Sequence, residues 1–221
     1  MTRSARALQP AFPRLQDCTR CPRLASALAD VRAASPGYHA RPVPAFGDAS
    51  PTLLIVGLAP GMHGANRTGR PFTGDYAGEL LYATLHKFRW SSGPVSVSRD
   101  DPLRLIGCRI TNAVKCWPPE NKPLPVEVKA CIPYLAEELN ALAPGAAVLA
   151  LGQIAHRAVV AGYGLRHADF TFAHAAQADL PQGRRLFDSY HCSRYNTQTR
   201  RLTAEMFEAV FADVDDFLQR A

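Results

Sequence analysis

Short apolar runs and helical stripes of apolar residues alternate along this chain of 221 residues. Four runs are predicted to be buried strands, because they are short and rich in Val, Ile, Leu or aromatic residues. Between them, apolar residues recur three and four positions apart, the spacing of one helical face. The predicted strands cover residues 52–56, 105–114, 146–151 and 185–190, and the predicted helices cover 22–34, 76–88, 126–142, a segment from 153, and 203–218.

This alternation predicts a single α/β domain with an open, mostly parallel four-stranded sheet and helices on both faces. The domain is expected to span residues 16–221 and to follow a loose N-terminal arm, residues 1–15. No run of some twenty apolar residues occurs, so we expect no membrane span. The first fourteen residues lack the apolar stretch of a signal peptide, and we therefore expect a cytoplasmic protein.

Basic residues outnumber acidic ones, 25 against 19, and the formal net charge is +6. Only four of the 25 are lysines, and the planar guanidinium of arginine pairs well with phosphate oxygens. This balance favours a polyanionic partner. Arginine richness can equally reflect codon bias, so charge alone leaves the partner open.

Four of the six cysteines form two pairs far apart in the sequence, Cys18 with Cys21 and Cys116 with Cys131. In a cytoplasmic protein, clustered cysteines hold metal more often than they form disulfides. Four thiolates suit either a zinc ion or an iron–sulfur cluster, and the spacing leaves both open. The two remaining cysteines are expected to be small buried residues, Cys108 and Cys192.

Several polar or glycine-rich segments follow the ends of predicted strands. The turn Gly-Leu-Ala-Pro-Gly at 57–61 follows the first strand, Asn112 and Asn121 lie around the end of the second, and His191 follows the fourth. Ligands of open parallel sheets bind beyond the carboxyl ends of the strands, so these residues are predicted to share one rim. The turn by itself is also compatible with an ordinary loop, and it is not a Walker loop because no Gly-Lys-Ser/Thr follows.

Four motifs in a fixed order give a more specific indication: GLAPG at 57–61, HGANRTGR at 63–70, FTGD at 72–75 and HxSRxNT at 191–197. Together with the cysteine spacing, they resemble the motifs of the family 5 uracil-DNA glycosylases from residue 18 to about residue 203. The resemblance implies an enzyme that flips a deaminated base out of DNA and hydrolyses its N-glycosidic bond, and we expect a monomer because one enzyme must scan one lesion. It also implies a 4Fe-4S cluster, expected to be structural, on Cys18, Cys21, Cys116 and Cys131.

The resemblance further implies roles for residues at matching positions. The catalytic residues would be Asp75, to position water or stabilise the sugar cation, His191, to donate to the departing base, and Asn121. The base would contact Gly57, Leu58, Ala59, Gly61, Phe72 and Asn112, and the DNA strand would contact Arg67, Arg70, Lys122, Ser193, Arg194 and Asn196. Plainer roles stay open for several of these residues: Asp75 as a helix cap, Phe72 as a core residue, Asn112 as a cap or turn former, His191 as a surface or core residue, and the charged side chains as solvated surface.

Leu58 and Ala59 occupy positions where many uracil-DNA glycosylases carry a polar or acidic residue. This difference removes a water-activating group from the turn and predicts loose selectivity, with hypoxanthine and related bases accepted besides uracil. Cys192 stands where a proline is often expected, which leaves the local backbone rigidity open.

Three alternatives compete with this interpretation. A non-enzymatic zinc protein that binds nucleic acid would use the same four cysteines, but it gives the motifs at 72–75 and 191–197 no role. A nucleotide hydrolase would need a P-loop lysine and an acidic metal-binding pair, which the sequence lacks. The sister family 4 glycosylases share the cluster, but the 63–70 segment and the absence of an acid at position 58 favour family 5.

Overall fold

A computed structural model describes residues 14–220 of the chain. Helices and strands alternate as the hydrophobic pattern predicts, and most observed boundaries lie within three residues of the predicted ones. The helices are α1 (Pro22–Ala34), α2 (Ala65–Thr68), α3 (Tyr76–Lys87), α4 (Pro125–Asn140), α5 (Gln153–Gly162), α6 (Arg194–Gln198) and α7 (Ala204–Arg220). The strands are β1 (Phe46–Gly47), β2 (Leu53–Gly57), β3 (Cys108–Asn112), β4 (Ala147–Leu151), β5 (Gln177–Asp179) and β6 (Arg185–Ser189).

The predicted arm, residues 1–15, lies outside the described residues except for its last two positions. Leu15 begins a short 3-10 turn, Leu15–Asp17, just before the first cysteine. No helix within residues 14–220 is long and apolar enough to cross a membrane.

The strands form one sheet in the order β1-β3-β2-β4-β6-β5. The four predicted strands, β2, β3, β4 and β6, are its parallel centre, so the α/β class is confirmed. The predicted number of strands was wrong, because β1 and β5 pair antiparallel at the two edges. These edge strands are only two and three residues long, too short to show a periodic pattern in the sequence.

Side chains of the central strands feed two hydrophobic cores, one on each face of the sheet. In β2, Leu53 and Ile55 enter one core while Leu54 and Val56 enter the other, because successive side chains of a strand point to opposite faces. Helices α3 and α7 cover the first face, and α4 and α5 cover the second. Burial on both faces explains why these strands are continuous apolar runs in the sequence.

The order of the strands determines where a ligand can bind. The chain passes from β2 to β3 on one side and then places β4 and β6 on the other side of β2. The connection after β2 therefore runs to one side of the sheet and the connection after β4 to the other, which separates the loops at the carboxyl ends of these two strands and opens a crevice there. That end of the sheet carries Gly57 of β2, Asn112 of β3 and Leu151 of β4.

Candidate active site

A cavity of about 600 Å³ opens at the carboxyl ends of the parallel strands. Three helices, α3, α5 and α6, begin at its wall. The structure therefore brings together the residues that follow strand ends, as the rim prediction requires. Ten of the predicted site residues line this cavity: Leu58, Ala59, Gly61, Phe72, Asp75, Asn112, Asn121, His191, Ser193 and Arg194.

Asp75 caps a helix and also lines the cavity. It is the N-cap of α3, and its Oδ1 accepts a hydrogen bond from the Gly78 amide at 3.0 Å. The same carboxyl group lines the cavity, and its Oδ2 lies so close to Gly64 that any side chain at that position would overlap it. Burial raises the pKa of Asp75 above its ordinary value, while the amide hydrogen bonds oppose that rise.

Asn112 presents an amide group to the cavity from the end of β3. Its Oδ1 is buried and has no hydrogen-bond partner among the described residues. A buried amide oxygen without a partner costs free energy, which a ligand donor would recover. Gly57, its neighbour across the strands, makes this placement possible: a Cβ at Gly57 would lie 2.5 Å from Asn112 Oδ1 and 2.6 Å from the ring of Phe72.

Phe72 and His191 form an aromatic wall. Their ring centroids lie 5.9 Å apart with an interplanar angle of 27°. Phe72 is only 6% exposed and has a left-handed backbone, φ +52°, so it is both a core residue and a wall of the cavity. Burial lowers the pKa of His191 to about 4, so its imidazole is neutral at physiological pH and can donate from one nitrogen only.

Asn121 reaches the cavity from a strained turn. Glu120 and Asn121 have consecutive left-handed conformations, φ +58° and +56°. Asparagine tolerates this region better than glutamate does. Amide hydrogen bonds from Asn121 to the Pro118 carbonyl (2.9 Å) and from Lys122 to the Pro119 carbonyl (3.2 Å) hold the turn. These hydrogen bonds fix the turn from which Asn121 lines the cavity.

The predicted phosphate contact through Arg70 is wrong, because its guanidinium is buried and already paired. Arg70 is 6% exposed, forms a salt bridge with Asp101 and donates to the Ser96 hydroxyl at 3.1 Å. Its guanidinium also lies 4.3 Å from the centre of the Phe46 ring. Arg70 therefore anchors the loop between α3 and β3 to the segment that carries Phe72.

The other predicted DNA-binding residues lie on or near the rim of the cavity. Arg67 is exposed and donates to the His63 carbonyl at 2.6 Å, and Lys122 is exposed and pairs with Glu120 at 3.1 Å. Arg194 lies over the Tyr76 ring at 5.7 Å. Ser193 and Asn196 bond within their own segment. Ser193 caps α6, and the side-chain amide of Asn196 donates to the His191 carbonyl at 2.8 Å.

Seven residues that line the cavity are missing from the sequence-based prediction: Ala65, Tyr76, Ala77, Leu151, Gly152, Gln153 and Ile154. Tyr76 is the first residue of α3, and Gln153 and Ile154 open α5 directly after β4. Their position after a strand end or an N-cap was the available signal. Neither segment contains a residue type that indicates chemistry by itself.

The four paired cysteines surround a second, small cavity of about 20 Å³. Cys21 precedes α1, Cys116 follows β3, and Cys131 lies on the buried face of α4, where its sulfur accepts the Lys115 amide hydrogen bond at 3.3 Å. Burial and the neighbouring thiols raise the pKa of Cys116. No group of three or more His, Cys, Asp or Glu side chains within residues 14–220 has the arrangement needed for a single metal ion.

Comparison with known proteins identifies the family. Residues 44–215 match the model of the uracil DNA glycosylase superfamily. A type-5 uracil-DNA glycosylase of Thermus thermophilus is 50% identical over 204 residues, covering 90% of this chain and 93% of that protein. One of Pyrobaculum aerophilum is 45% identical over 201 residues (89% and 87%), whereas a type-4 enzyme of the same organism is 34% identical over 160 residues (72% and 67%). The chain therefore belongs to the uracil-DNA glycosylase superfamily and, within it, to the type-5 enzymes.

Proposed function

We propose that this protein hydrolyses the N-glycosidic bond of uracil in DNA and leaves an abasic site. The observation that carries the proposal is the convergence of Asp75, Asn112 and His191 on one cavity beside Phe72. A base stacked in a duplex cannot reach these groups, so the nucleotide must be extruded into the cavity.

Recognition of the base rests on one ring and one amide. Phe72 supplies an aromatic surface at the wall, and stacking of a base on such a ring contributes roughly 1–3 kcal/mol. The amide of Asn112 offers both a donor and an acceptor, which match the O4 and N3–H edge of uracil. The unpartnered Oδ1 of Asn112 would accept from N3–H, so binding would satisfy a buried group that has no partner within the described chain.

Hydrolysis places positive charge on the deoxyribose and negative charge on the departing base. The Asp75 carboxylate, which lines the cavity, would stabilise the sugar cation or orient the attacking water, and Asn121 lines the same cavity. A neutral His191 donates a hydrogen bond to the base oxygen as negative charge develops there. The N-termini of α3 and α5 add positive ends of helix dipoles at the same wall.

Leu58 and Ala59 line the cavity without a polar side chain. A wall of this kind makes no hydrogen bond that only uracil satisfies, and apolar pockets discriminate weakly between bases of similar shape. We therefore extend the proposal to other deaminated bases, with hypoxanthine first. Release of uracil together with no detectable release of hypoxanthine from otherwise identical duplexes would contradict this extension.

The DNA strand is proposed to run along the rim past Arg67, Lys122 and Arg194. These cations are exposed, and the first turn of α6 is capped by the Ser193 hydroxyl. Neutralising each would lower the slope of log K against log salt concentration by about one unit. Asn196 contributes indirectly, since its amide holds the His191 carbonyl.

The cysteine cavity is proposed to hold a 4Fe-4S cluster. Four cysteines from three parts of the chain surround it, and four thiolates are the ligand set of such clusters. The Lys115 amide already points at the Cys131 sulfur, a contact typical of the hydrogen bonds that support cluster thiolates. The cluster would tie the segment before α1 to α4 and to the loop that carries Asn121, a structural role.

Metal content distinguishes this cofactor from the zinc of the non-enzymatic alternative. Anaerobically purified protein should be brown, with about four iron atoms per chain, and Cys116→Ser should lose both colour and thermal stability. Cys108→Ser, which changes a buried cysteine outside the cluster, is the matched control and should keep its iron. Colourless protein that contains one zinc ion would contradict the cluster.

The activity test uses a labelled duplex with one uracil, treated with alkali to break abasic sites. Wild type should cleave it, and Asp75→Ala should be slower by roughly a hundredfold, the scale of a lost acid–base or charge-stabilising group. Asp100→Asn removes an exposed loop carboxylate and is the matched control, expected to match wild type. No cleavage by iron-loaded wild type would refute the proposed function, and full activity in Asp75→Ala would refute only the role of Asp75.

A further inference from the structure

Another cavity, distinct from the cysteine cavity and lined by polar and aromatic residues, lies beside the candidate active site. It has a volume of about 500 Å³ and is bordered by α5 and the segment 167–172. Gln153 borders both the base cavity and this space, the side cavity, which is lined by Gln153, His156, Arg157, His167, Phe170, Thr171 and Phe172.

Its polar side chains other than His156 are not engaged by the protein. Gln153, Arg157 and His167 make no side-chain hydrogen bond or ion pair with any described residue. The neighbouring Arg166, in contrast, lies 3.9 Å from Asp169 and stays outside the cavity. A guanidinium is always charged, and no described carboxylate lines the side cavity to neutralise it. The side cavity therefore favours an anionic ligand.

Two aromatic rings give the side cavity a second chemical feature. Phe170 and Phe172 line it and are half-buried. Phe172 packs edge-on against His156 at 5.6 Å between centroids and tilts against Tyr190 at 6.3 Å. Partly exposed rings beside an amide and a cation offer stacking, edge recognition and phosphate pairing at once. A nucleotide is the ligand class that uses all three.

The floor of the side cavity is rigid before any ligand arrives. His156 is 2% exposed, and its Nδ1 lies 2.8 Å from the Asp188 carboxylate, also 2% exposed. Its Nε2 lies 3.2 Å from the Phe170 carbonyl. This one imidazole ties α5, β6 and the aromatic segment together, so the relative position of these three elements is held before a ligand binds.

We propose that the side cavity binds the nucleotide next to the extruded uracil in the same strand, with its base on Phe172 and its phosphate at Arg157. The identity of that ligand rests on the proposed function, since only an extruded uracil places a neighbouring nucleotide beside Gln153. A paired and stacked neighbour cannot enter. The enzyme therefore prefers uracil in single-stranded or locally melted DNA over uracil inside a stable duplex.

The test uses single strands that carry a stable abasic analogue (tetrahydrofuran) with 2-aminopurine on its 5′ or its 3′ side. Wild type should give a saturable fluorescence change for one of the two strands. Phe172→Leu should abolish that change and weaken binding about 5- to 150-fold, the range for loss of one stacked base. Arg157→Gln should weaken binding and lower the salt slope by about one unit, while Arg166→Gln, its exposed neighbour outside the cavity, should match wild type.

Arg157 is exposed, so its substitution keeps the fold and the result remains decisive if Phe172→Leu unfolds. Wild-type affinity, salt slope and fluorescence in Arg157→Gln would overturn the side-cavity proposal. Uracil release is measured on the same samples. Release by wild type without any effect of the variants refutes the side cavity alone, whereas 2-aminopurine binding that depends on these residues without uracil release refutes the proposed function alone.

Discussion

Asp75→Asn separates the structural role of Asp75 from its catalytic role. Asparagine keeps an oxygen that can accept the Gly78 amide hydrogen bond, and asparagine and aspartate are about equally good N-caps. It loses the negative charge on which the proposed stabilisation of the sugar cation depends. Asp75→Ala, in contrast, loses both the cap and the charge. Comparison of the two variants therefore assigns each effect to one cause.

The expected magnitudes follow from the contacts of the carboxyl group. Loss of the cap in Asp75→Ala should lower the free energy of unfolding by about 0.5–2 kcal/mol, or about 1–8 °C in Tm for a chain of this size. Asp75→Asn should not lower it. Since burial raises the folded-state pKa of Asp75, its ionisation costs stability as pH rises through that pKa. The Tm of Asp75→Asn relative to wild type should therefore increase between pH 4 and pH 7.5.

The assays are thermal unfolding at these two pH values and single-turnover uracil release at neutral pH. Both variants should release uracil roughly a hundredfold more slowly than wild type, although only Asp75→Ala should melt earlier. We attribute the cap to a hydrogen bond that either aspartate or asparagine can accept. If Asp75→Asn melts at as low a temperature as Asp75→Ala, this assignment is refuted. Near wild-type release by Asp75→Asn would refute the need for a negative charge at this position.

Three further predictions concern the walls of the site. Gly57→Ala should weaken binding of a uracil-containing strand at least tenfold in a fluorescence titration, because the added Cβ would lie 2.6 Å from the Phe72 ring and displace it; unchanged affinity would contradict this packing. Between pH 6.5 and pH 4, the unfolding free energy of wild type should fall by up to about 3 kcal/mol more than that of His191→Asn, because the folded-state pKa of His191 is lowered to about 4. Chemical denaturation at both pH values measures this difference, and equal losses in the two proteins would mean that the imidazole is solvated. Arg70→Ala should lower the unfolding free energy by about 3–5 kcal/mol, because it leaves Asp101 without its salt-bridge partner. A salt titration of DNA binding by this variant should give the wild-type slope.

Much of the fold could be predicted from local patterns. The four central strands are continuous apolar runs because both of their faces are buried, and α1 was predicted with its observed bounds because Leu24, Leu28 and Val31 mark a single face. The edge strands could not be predicted. Phe46–Gly47 and Gln177–Asp179 are strands only because β3 and β6 leave unpaired backbone groups beside them, a requirement that arises after the sheet has assembled.

The candidate site divides in the same way. Asp75, Asn112 and His191 were identifiable because strand ends and ordered motifs mark them. The behaviour of Arg70 was not, because its partner Asp101 lies 31 residues away and only the folded loop brings the two charges together. Gln153 was missed for a related reason: its importance comes from its position between two cavities and not from its residue type.

The sequence by itself therefore determined the α/β class, the end of the sheet where the chemistry lies and the residues that mark the family, because each depends on periodicity or on short motifs. The tertiary structure decided which charges are free to meet DNA, that one carboxylate both caps α3 and lines the cavity, and that a second polar cavity adjoins the first. These properties depend on distances between segments far apart in the chain. Only the packing of helices on both faces of the sheet sets those distances.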